Sequence, residues 1–270
     1  SKKNPDFLLI GKEGSEMSQN RYSSNIIVSM IGFVMWPHLF TKSYTTTEKR
    51  IKTTVAVYPI FALFLLPVLF IGFSGIGIVP SDKLDNAGQI LPYLITNHLT
   101  ESGLLYGIVG AGALAAAMSS SDAITHGASV SFGRDICKSI FQKLPEQAEL
   151  WIMRIAVFII GGIAYMLAIF GSEGLIQLLL GAYGPIAQLA PAVYAALFFK
   201  KANAKSIILG LVIGVVITIY FQYLSSTNVL DLHPGLIGLI FNVLVVFLGT
   251  YVFKQSDREV EKSNEFVSIE

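Results

Sequence analysis

Apolar residues in this chain are gathered into seven long runs that are separated by shorter polar segments. Each run is about 18 residues or longer, the length of helix that crosses a hydrocarbon core of about 30 Å. The runs cover residues 24–40, 53–76, 103–134, 150–170, 174–199, 206–224 and 234–253. They lack the alternation of barrel strands, and lipid cannot pair with backbone polar groups, so helices are predicted. The predicted fold class is an all-α polytopic membrane helix bundle.

Composition supports a membrane protein and narrows the range of partners. Hydrophobic residues make up 53% of the 270 residues and charged residues only 14%, far from the balance of a soluble domain. A net charge of +1, with no basic run that interleaves with aromatic residues, indicates no nucleic-acid partner. The single cysteine, Cys137, excludes an internal disulfide framework and a metal site built on cysteines. The lipid bilayer is therefore the first expected partner.

Lysine and arginine residues are concentrated in every second segment that connects the predicted spans. The segments after the second, fourth and sixth spans contain only Lys83 as a basic residue. Those after the odd-numbered spans contain Lys42, Lys49, Arg50, Lys52, Arg134, Lys138, Lys143, Arg154, Lys200, Lys201, Lys205, Lys254, Arg258 and Lys262. By the positive-inside rule, the chain begins outside and ends in the cytoplasm, in the cell (inner) membrane. Residues 1–23 carry lysines against this pattern and no signal-peptide features, so they are interpreted as a remnant of an extracellular loop.

Two polar segments are predicted to be partly helical. Residues 79–102 contain apolar positions that fit one face of a short amphipathic helix, either a passive surface helix or a lid over the outer face of the bundle. The residues after Lys254 are expected to form a solvated tail that is helical at first and then frays.

The third run carries a cluster of hydroxyl groups within GAGALAAAMSSSDAITHG. On a helix, Ser119 and Ser120 lie one turn after the carbonyl of Ala116, so three oxygens can face one point. A neutral set of oxygen ligands suits a hard, singly charged cation, sodium before potassium, and is too weak for tight calcium or magnesium binding. The alternative is structural. Serine in a membrane helix also bonds its own i−4 carbonyl, and the small residues around Gly110 and Gly112 indicate close helix packing.

Two ionisable residues follow on the same face of this helix. Asp122 lies three residues after Ser119 and four before His126, and the polar stripe continues to Ser129 and Gly133. An ionisable residue at the centre of a membrane helix costs about 2.5–3.5 kcal/mol on insertion scales, so it normally serves a function. Asp122 is predicted to neutralise a nearby bound cation, to pair with His126, or to carry a proton.

Glycine and proline interrupt the first and fifth runs. In GFVMWPHLFTKSY, Pro37 removes a backbone hydrogen bond, so a kink or break near mid-membrane is predicted. Broken helices of this kind form binding sites in transporters. Phe33 and Trp36 are predicted pocket walls and His38 a polar contact, although Trp36 and His38 also fit an interfacial belt. In the fifth run, GAYGPIAQLAP, Gln188 is predicted to hydrogen-bond either a substrate or another helix.

These motifs resemble those of sodium:solute symporters. The segment GALAAAMSSSDAITHGASVSFGRDI is similar to a family helix that typically reads Ala-Ala-x-x-Ser-[Ser/Thr]. The two preceding segments, GFVMWPHLFTKSYTTTEKRIKTT and YPIFALFLLPVLFIGF, and the later QLAPAVYAALFFKKANAKS resemble other helices of the family. The resemblance implies that Ser119, Ser120 and the Ala116 carbonyl bind sodium. It also implies aromatic gate or substrate contacts near Phe33 and Trp36.

The resemblance further implies an architecture, a LeuT-like fold of two inverted five-helix repeats. Residues 24–199 would form the second repeat, residues 200–254 two trailing transmembrane helices, and residues 255–270 a cytoplasmic tail. The first repeat would lie in a missing N-terminal half of the transporter, whose unwound helix would supply the remaining sodium ligands.

The choice of solute follows from a departure from the family pattern. Sugar-transporting members have Asn-Gln and Gln-Arg pairs where this chain has Trp36, Pro37, Thr41 and Lys42. The Trp-Pro-His form is more similar to members that carry small organic acids or amino acids.

The expected function is sodium-coupled secondary active symport of a small polar solute by alternating access. One alternative is a proton-coupled transporter in which Asp122 and His126 form the relay. Another is a membrane solute sensor without net transport. No cofactor is expected, since sodium is the coupling ion, and an enzyme is not expected because Asp122 and His126 lack a third partner and a recognisable nucleophile.

Overall fold

A computed structural model describes residues 18–43, 46–79, 89–99, 102–171, 175–225, 227 and 229–267, and these residues contain helices and no β-strand. The α-helices are α1 Gln19–Phe33, α2 Pro37–Ser43, α3 Glu48–Ala62, α4 Leu65–Ile78, α5 Ile90–Leu94, α6 Gly103–Val130, α7 Lys138–Ile140, α8 Glu146–Phe170, α9 Leu175–Ala187, α10 Leu189–Phe198, α11 Ala204–Ile219, α12 Pro234–Val252 and α13 Asp257–Val267. Wider π-helical turns form at Ile95–Leu99, Ser131–Cys137 and Tyr220–Leu224, and a 3-10 turn at Val229–Asp231. The prediction of an all-α fold is confirmed.

Within these described residues, seven helical segments are long and apolar enough to cross a membrane. They are Gln19–Phe40, Glu48–Gly75, Gly103–Ile140, Glu146–Phe170, Leu178–Phe198, Ala204–Leu224 and Pro234–Val252. The predicted number of spans is confirmed. The third segment has 38 residues, which makes it about 57 Å long at the rise of an α-helix. It therefore extends beyond a hydrocarbon core of about 30 Å.

Proline interrupts the first and fifth spans where the sequence predicted interruptions. In the first span, α1 ends at Phe33 and α2 begins at Pro37, whose missing N–H and fixed φ suit the first position of a helix. In the fifth span, Gln188 separates α9 from α10, and its N–H bonds the carbonyl of Pro185 at 3.2 Å. Pro191 has no N–H for the carbonyl four residues before it.

A third interruption, which the sequence analysis did not predict, divides the second span. Helix α3 ends at Ala62 and α4 begins at Leu65. Pro67 has no N–H for the carbonyl of Leu63, which accepts instead from the N–H of Leu66 at 3.1 Å. The two prolines of YPIFALFLLPV carried the signal for this break.

The chain divides into two compact units. The first unit consists of residues 1–36 and 176–270, and the second consists of residues 37–175.

The first unit is built around the close approach of α11 and α12, which depends on glycine. A Cβ atom on Gly238 would lie 2.5 Å from the carbonyl oxygen of Gly214 and would also meet the hydroxyl of Thr218. A Cβ atom on Gly210 would lie 2.6 Å from a methyl group of Val246. Because small residues let helix backbones approach each other in a membrane, these positions fix the α11–α12 pair.

His233 joins three segments at one end of the first unit. Its Nδ1 caps α12 by accepting from the N–H of Gly235 at 3.0 Å, and its own N–H donates to the Ser24 hydroxyl of α1 at 2.8 Å. The Arg21 guanidinium donates to the Leu232 carbonyl at 3.2 Å. Burial, with a smaller contribution from the charge of Arg21, lowers the pKa of His233 to about 4. The imidazole is therefore neutral at physiological pH.

The tail helix α13 is held against the loop between α10 and α11. The Glu259 carboxylate accepts from the N–H groups of Ser256 and Ala204, both at 2.7 Å. These hydrogen bonds, that of Ser256 first, lower the pKa of Glu259. The Ser263 hydroxyl donates to the carbonyl of Lys200 at 3.2 Å. The tail begins as a helix, as predicted, but it is docked and is not simply solvated.

The second unit packs α6 against α8. A Cβ atom on Gly133 would lie 2.5 Å from Cγ of Met153, so the two helices touch there. The Glu149 carboxylate, with a side chain 5% exposed, accepts from Nε of Arg134 at 2.9 Å and from Nζ of Lys138 at 3.1 Å. These two bonds join the π-helical end of the third span to the first turn of α8.

The predicted helix after the second span is present in part. Helix α5 packs on α4, since a Cβ atom on Gly75 would lie 3.3 Å from Cδ1 of Leu94 and would also meet Ile90. Within the predicted segment 79–102, residues 80–88 and 100–101 lie outside the described residues.

Replacement of Gly238 by alanine should destabilise the protein by about 1–3 kcal/mol, because the new methyl group would overpack the α11–α12 contact. Gly161→Ala is the matched control, since a Cβ atom there meets nothing within 4 Å. Thermal unfolding of the reconstituted variants measures the difference. Equal midpoints for the two variants would contradict the described contact.

Stability should fall with acid because of His233. Its pKa is lower in the folded state than the ordinary value of 6.5, so folding favours the neutral ring. The full contribution of His233 to the free energy of unfolding is present above pH 6.5. It is lost as the pH falls towards 4, by about 1.4 kcal/mol per pH unit.

The His233→Asn variant tests this prediction. Asparagine keeps an oxygen acceptor at the helix cap but does not titrate. The unfolding free energy of the variant is measured in denaturant between pH 4 and pH 6.5. It should fall less steeply with decreasing pH than that of the unchanged protein, because asparagine does not titrate. An unchanged slope would assign the pH dependence to other groups.

Candidate functional site

The predicted site residues are distributed over both units. Phe33, Trp36 and Gln188 lie in the first unit, and His38, Ala116, Ser119, Ser120, Asp122 and His126 lie in the second unit. Within the second unit, five of them share α6: Ala116, Ser119, Ser120, Asp122 and His126.

The three hydroxyl groups of the α6 cluster differ in their bonding. Ser121 donates to the carbonyl of Ala117 at 2.5 Å, the self-satisfied arrangement expected of a structural serine. Ser119 and Ser120 are exposed, and no hydrogen bond joins either hydroxyl to any other described residue. The Ala116 carbonyl keeps a second lone pair beyond its helical bond. Two hydroxyls and one carbonyl are therefore available as neutral oxygen ligands on this face.

The polar stripe of α6 has an exposed part and a buried part. Asp122 and His126 are exposed, whereas Ser129 and Gly133 are buried. The Ser129 hydroxyl donates to the carbonyl of His126 at 2.8 Å. Among the described side chains, no ion pair or hydrogen bond joins Asp122 to His126. The carboxylate and the imidazole thus both point to the surface of this unit.

The small residues of α6 are not packed as the sequence suggested. A Cβ atom on Gly110 or Gly112 would meet nothing within 4 Å, and every described residue from 103 to 122 is exposed. Leu114 and Met118 of the same helix are 62% and 63% exposed. The close packing predicted there is absent from the described part of the chain.

The second half of the broken first span contacts α6 beside His126. Helix α2 contacts α6, and a Cβ atom on Gly127 would lie 3.7 Å from Cβ of His38. His38 is partly buried at this contact. The structure therefore brings the predicted polar residue of the broken helix next to the polar stripe of α6.

Trp36 in the first unit packs on Tyr183, a residue that was not assigned a role from the sequence. The two rings meet edge to face, with centroids 5.8 Å apart. A Cβ atom on Gly32 would lie 2.9 Å from Cδ1 of Tyr183, so the α1 backbone passes close to this ring. Phe33 is 40% exposed. The signal for Tyr183 was its place between Gly181 and Gly184 in the interrupted fifth span.

Gln188 forms hydrogen bonds between helices, one of the two uses left open by the sequence. The side chain is fully buried, and its Nε2 donates to the carbonyls of Gly184 and Gly235 at 3.1 and 2.9 Å. It also lies 3.2 Å from the hydroxyl of Thr218. Asn242 donates to the Gln188 carbonyl at 2.9 Å. The interruption between α9 and α10 is thus bonded to α11 and α12.

The fold defines an all-helical, multi-pass membrane protein. The chain belongs to the sodium:solute symporter family, whose family model matches residues 8–214. It is similar to the uncharacterized symporter YhjB of Bacillus subtilis, with 27% identity over 90% of this chain and 51% of that protein. It is also similar to the uncharacterized symporter YodF of the same organism, with 25% identity over 93% of this chain and 50% of that protein. The chain thus spans about half the length of these relatives. No solved structure matches the chain.

Replacement of Tyr183 by leucine should remove the edge-to-face contact with Trp36, which is worth about 0.5–1.5 kcal/mol beyond area burial. The emission of Trp36, recorded in a Trp151→Phe background, should shift to the red as the indole gains contact with water. Tyr165→Leu is the control, because Tyr165 is 65% exposed. The contact would be contradicted by equal emission and equal stability of the two leucine variants.

Proposed function

We propose that this protein carries out sodium-coupled symport of a small polar solute by alternating access. Family membership and the two relatives named symporters support solute symport. The observation that carries the sodium site is the difference between Ser121, which bonds its own helix, and the exposed Ser119 and Ser120, which do not. Hard oxygen ligands without net charge suit a monovalent cation that must bind and leave in each cycle.

The sodium ion is a transported substrate, held in this proposal by Ser119, Ser120 and the Ala116 carbonyl. Asp122, one turn further along the exposed face, balances the charge of the ion from outside its ligand shell. His126 follows after one more turn, next to the contact between α2 and Gly127. Movement of the broken first span and binding at α6 can affect each other through this contact.

The solute site is proposed at the interrupted first span. In the first unit, Phe33 and Trp36 are its proposed aromatic walls, with Tyr183 packed on Trp36. In the second unit, His38 is a separate candidate for a polar contact with the solute. Gln188 acts by holding the interrupted fifth span, since its amide bonds protein groups. An organic acid or an amino acid is the favoured solute, because the sequence lacks the polar pairs typical of sugar carriers.

The architecture proposed is the second half of a LeuT-like transporter. Residues 24–199 form the second five-helix repeat, residues 200–254 two trailing helices and residues 255–270 a cytoplasmic tail. Residues 1–23 belong to an extracellular loop. The protein lies in the cell membrane, with the start of this chain outside and its end in the cytoplasm. Relatives twice as long as this chain supply room for a first repeat, which would complete the sodium site.

Uptake into proteoliposomes tests this function. Radiolabelled acetate, pyruvate, proline and pantothenate are offered to the intact protein with and without an inward sodium gradient. Sodium-driven uptake is expected for one of these solutes. The pair Ser119→Ala and Ser120→Ala should raise the sodium concentration for half-maximal uptake by about tenfold or more, the cost of roughly 1.4 kcal/mol of lost ligand binding.

Ser121→Ala is the matched control, because this hydroxyl bonds the helix backbone and is expected to leave the sodium dependence unchanged. Sodium-independent uptake that is driven by a pH gradient, survives the paired serine change and is abolished by Asp122→Asn would contradict the proposal. It would assign the coupling proton to Asp122 and His126.

A further inference from the structure

An apolar groove of about 360 Å³ opens on the surface of the first unit between α1, α10 and α12. Its walls include Ile31 of α1, Pro191 and Tyr194 of α10, and Val243 and Phe247 of α12. These residues belong to the first, fifth and seventh membrane spans. The groove has the size of a small-molecule pocket, roughly 300–1,000 Å³, and lies at the depth of lipid acyl chains.

Aromatic rings form one end of the groove. Tyr194 and Phe198 are stacked with centroids 6.2 Å apart, and Phe199 meets Phe247 at 6.3 Å. Tyr194 is 49% exposed and Phe198 76% exposed, so the described part of the chain does not cover them. Aromatic rings at the end of a membrane span are typical of the boundary between acyl chains and headgroups.

A cluster of positive charge begins where the groove ends. Lys200 and Lys201 directly follow Phe199, a groove residue that comes just after the end of the fifth span at Phe198. The ends of the neighbouring helices α11, α12 and α13 add Lys205, Lys254, Arg258 and Lys262. The same tail contains five acidic residues against these six bases, and Glu259 among them is engaged with backbone N–H groups. The five are Asp257, Glu259, Glu261, Glu265 and Glu270.

The backbone that carries these lysines is fixed. The carbonyl of Lys200 accepts from Nε2 of Gln255 at 2.7 Å and from the hydroxyl of Ser263 at 3.2 Å. Nε2 of Gln255 also donates to the carbonyl of Ala202 at 2.8 Å. Helix α13 therefore holds the loop in place while the side chains of Lys200 and Lys201 stay exposed.

We propose that this groove and its lysines bind an anionic phospholipid. One acyl chain occupies the apolar groove along Tyr194 and Val243, and the phosphate of the headgroup lies against Lys200 and Lys201. The charge favours a phospholipid as the occupant, because one molecule combines an acyl chain that fits the apolar groove with a phosphate that lies at the level of the exposed lysines. Each lysine near an anionic surface contributes about fivefold in affinity.

Quenching by brominated lipids tests the site in the intact protein. A Tyr194→Trp reporter is reconstituted in phosphatidylcholine vesicles that contain either phosphatidylglycerol or phosphatidylcholine brominated on the acyl chains. The signal of Trp36 and Trp151 is subtracted with the protein that lacks the reporter. Stronger quenching by the phosphatidylglycerol is expected.

Three variants identify the contacts. Lys200→Gln together with Lys201→Gln should reduce the preference for phosphatidylglycerol by roughly fivefold or more. Lys143→Gln, in the turn before α8 of the second unit, removes an exposed charge that does not belong to this lysine cluster and should not change the preference. Val243→Phe, at a half-exposed position, should lower quenching by both lipids because it fills the groove.

Two results would overturn the proposal. Equal quenching by the two lipids would show a groove without selection for anionic headgroups. Absence of quenching by either lipid would show that protein covers the groove. Folding of each variant is checked by its thermal unfolding midpoint, and a variant that fails is replaced by Lys200→Ala with Lys201→Ala or by Val243→Leu.

Discussion

In hydrocarbon, a backbone carbonyl or N–H group without a hydrogen-bond partner costs several kcal/mol, so every interruption of a membrane helix needs compensation. The fifth span shows how this chain meets the requirement. The amide of Gln188 bonds one carbonyl of its own helix and one of α12, and Asn242 returns a bond to the Gln188 carbonyl. This arrangement requires glycine on the helices that face Gln188. A side chain at Gly214 of α11 would occupy the position of the Gln188 amide oxygen, and one at Gly238 of α12 would approach its amide nitrogen.

The same requirement separates structural polar groups from candidate ligands. Thr218 and Ser121 each donate to a carbonyl of their own helix, which satisfies the hydroxyl without any ligand. Ser119 and Ser120 sit on the same helix as Ser121 and have no such bond within the described residues. A polar group in a membrane span that the protein leaves unbonded is costly, and the proposed sodium site would give these two hydroxyls a function.

Local sequence signals predicted the spans and two of the breaks, because hydrophobic length and the missing N–H of Pro37 and Pro191 act within one helix. They could not predict which helices meet. The partners of Gln188 are 47 and 54 residues away at Gly235 and Asn242, and nothing in their spacing announces the pairing. For the same reason, the small residues at Gly110 and Gly112 indicated that a helix can approach closely, whereas the described chain places no helix there.

In the proposed cycle, the charge of Asp122 decides how sodium and protons compete. A sodium ion near Ser119 and Ser120 balances the carboxylate, and its departure leaves an isolated charge that costs about 2.5–3.5 kcal/mol within a span. In the proton-coupled alternative, a proton carried by Asp122 and His126 would take the place of the sodium ion. The hydroxyls of Ser119 and Ser120 favour the ion, because they are ligands for sodium and do not titrate. In this proposal, selectivity for sodium therefore resides in the hydroxyls of Ser119 and Ser120.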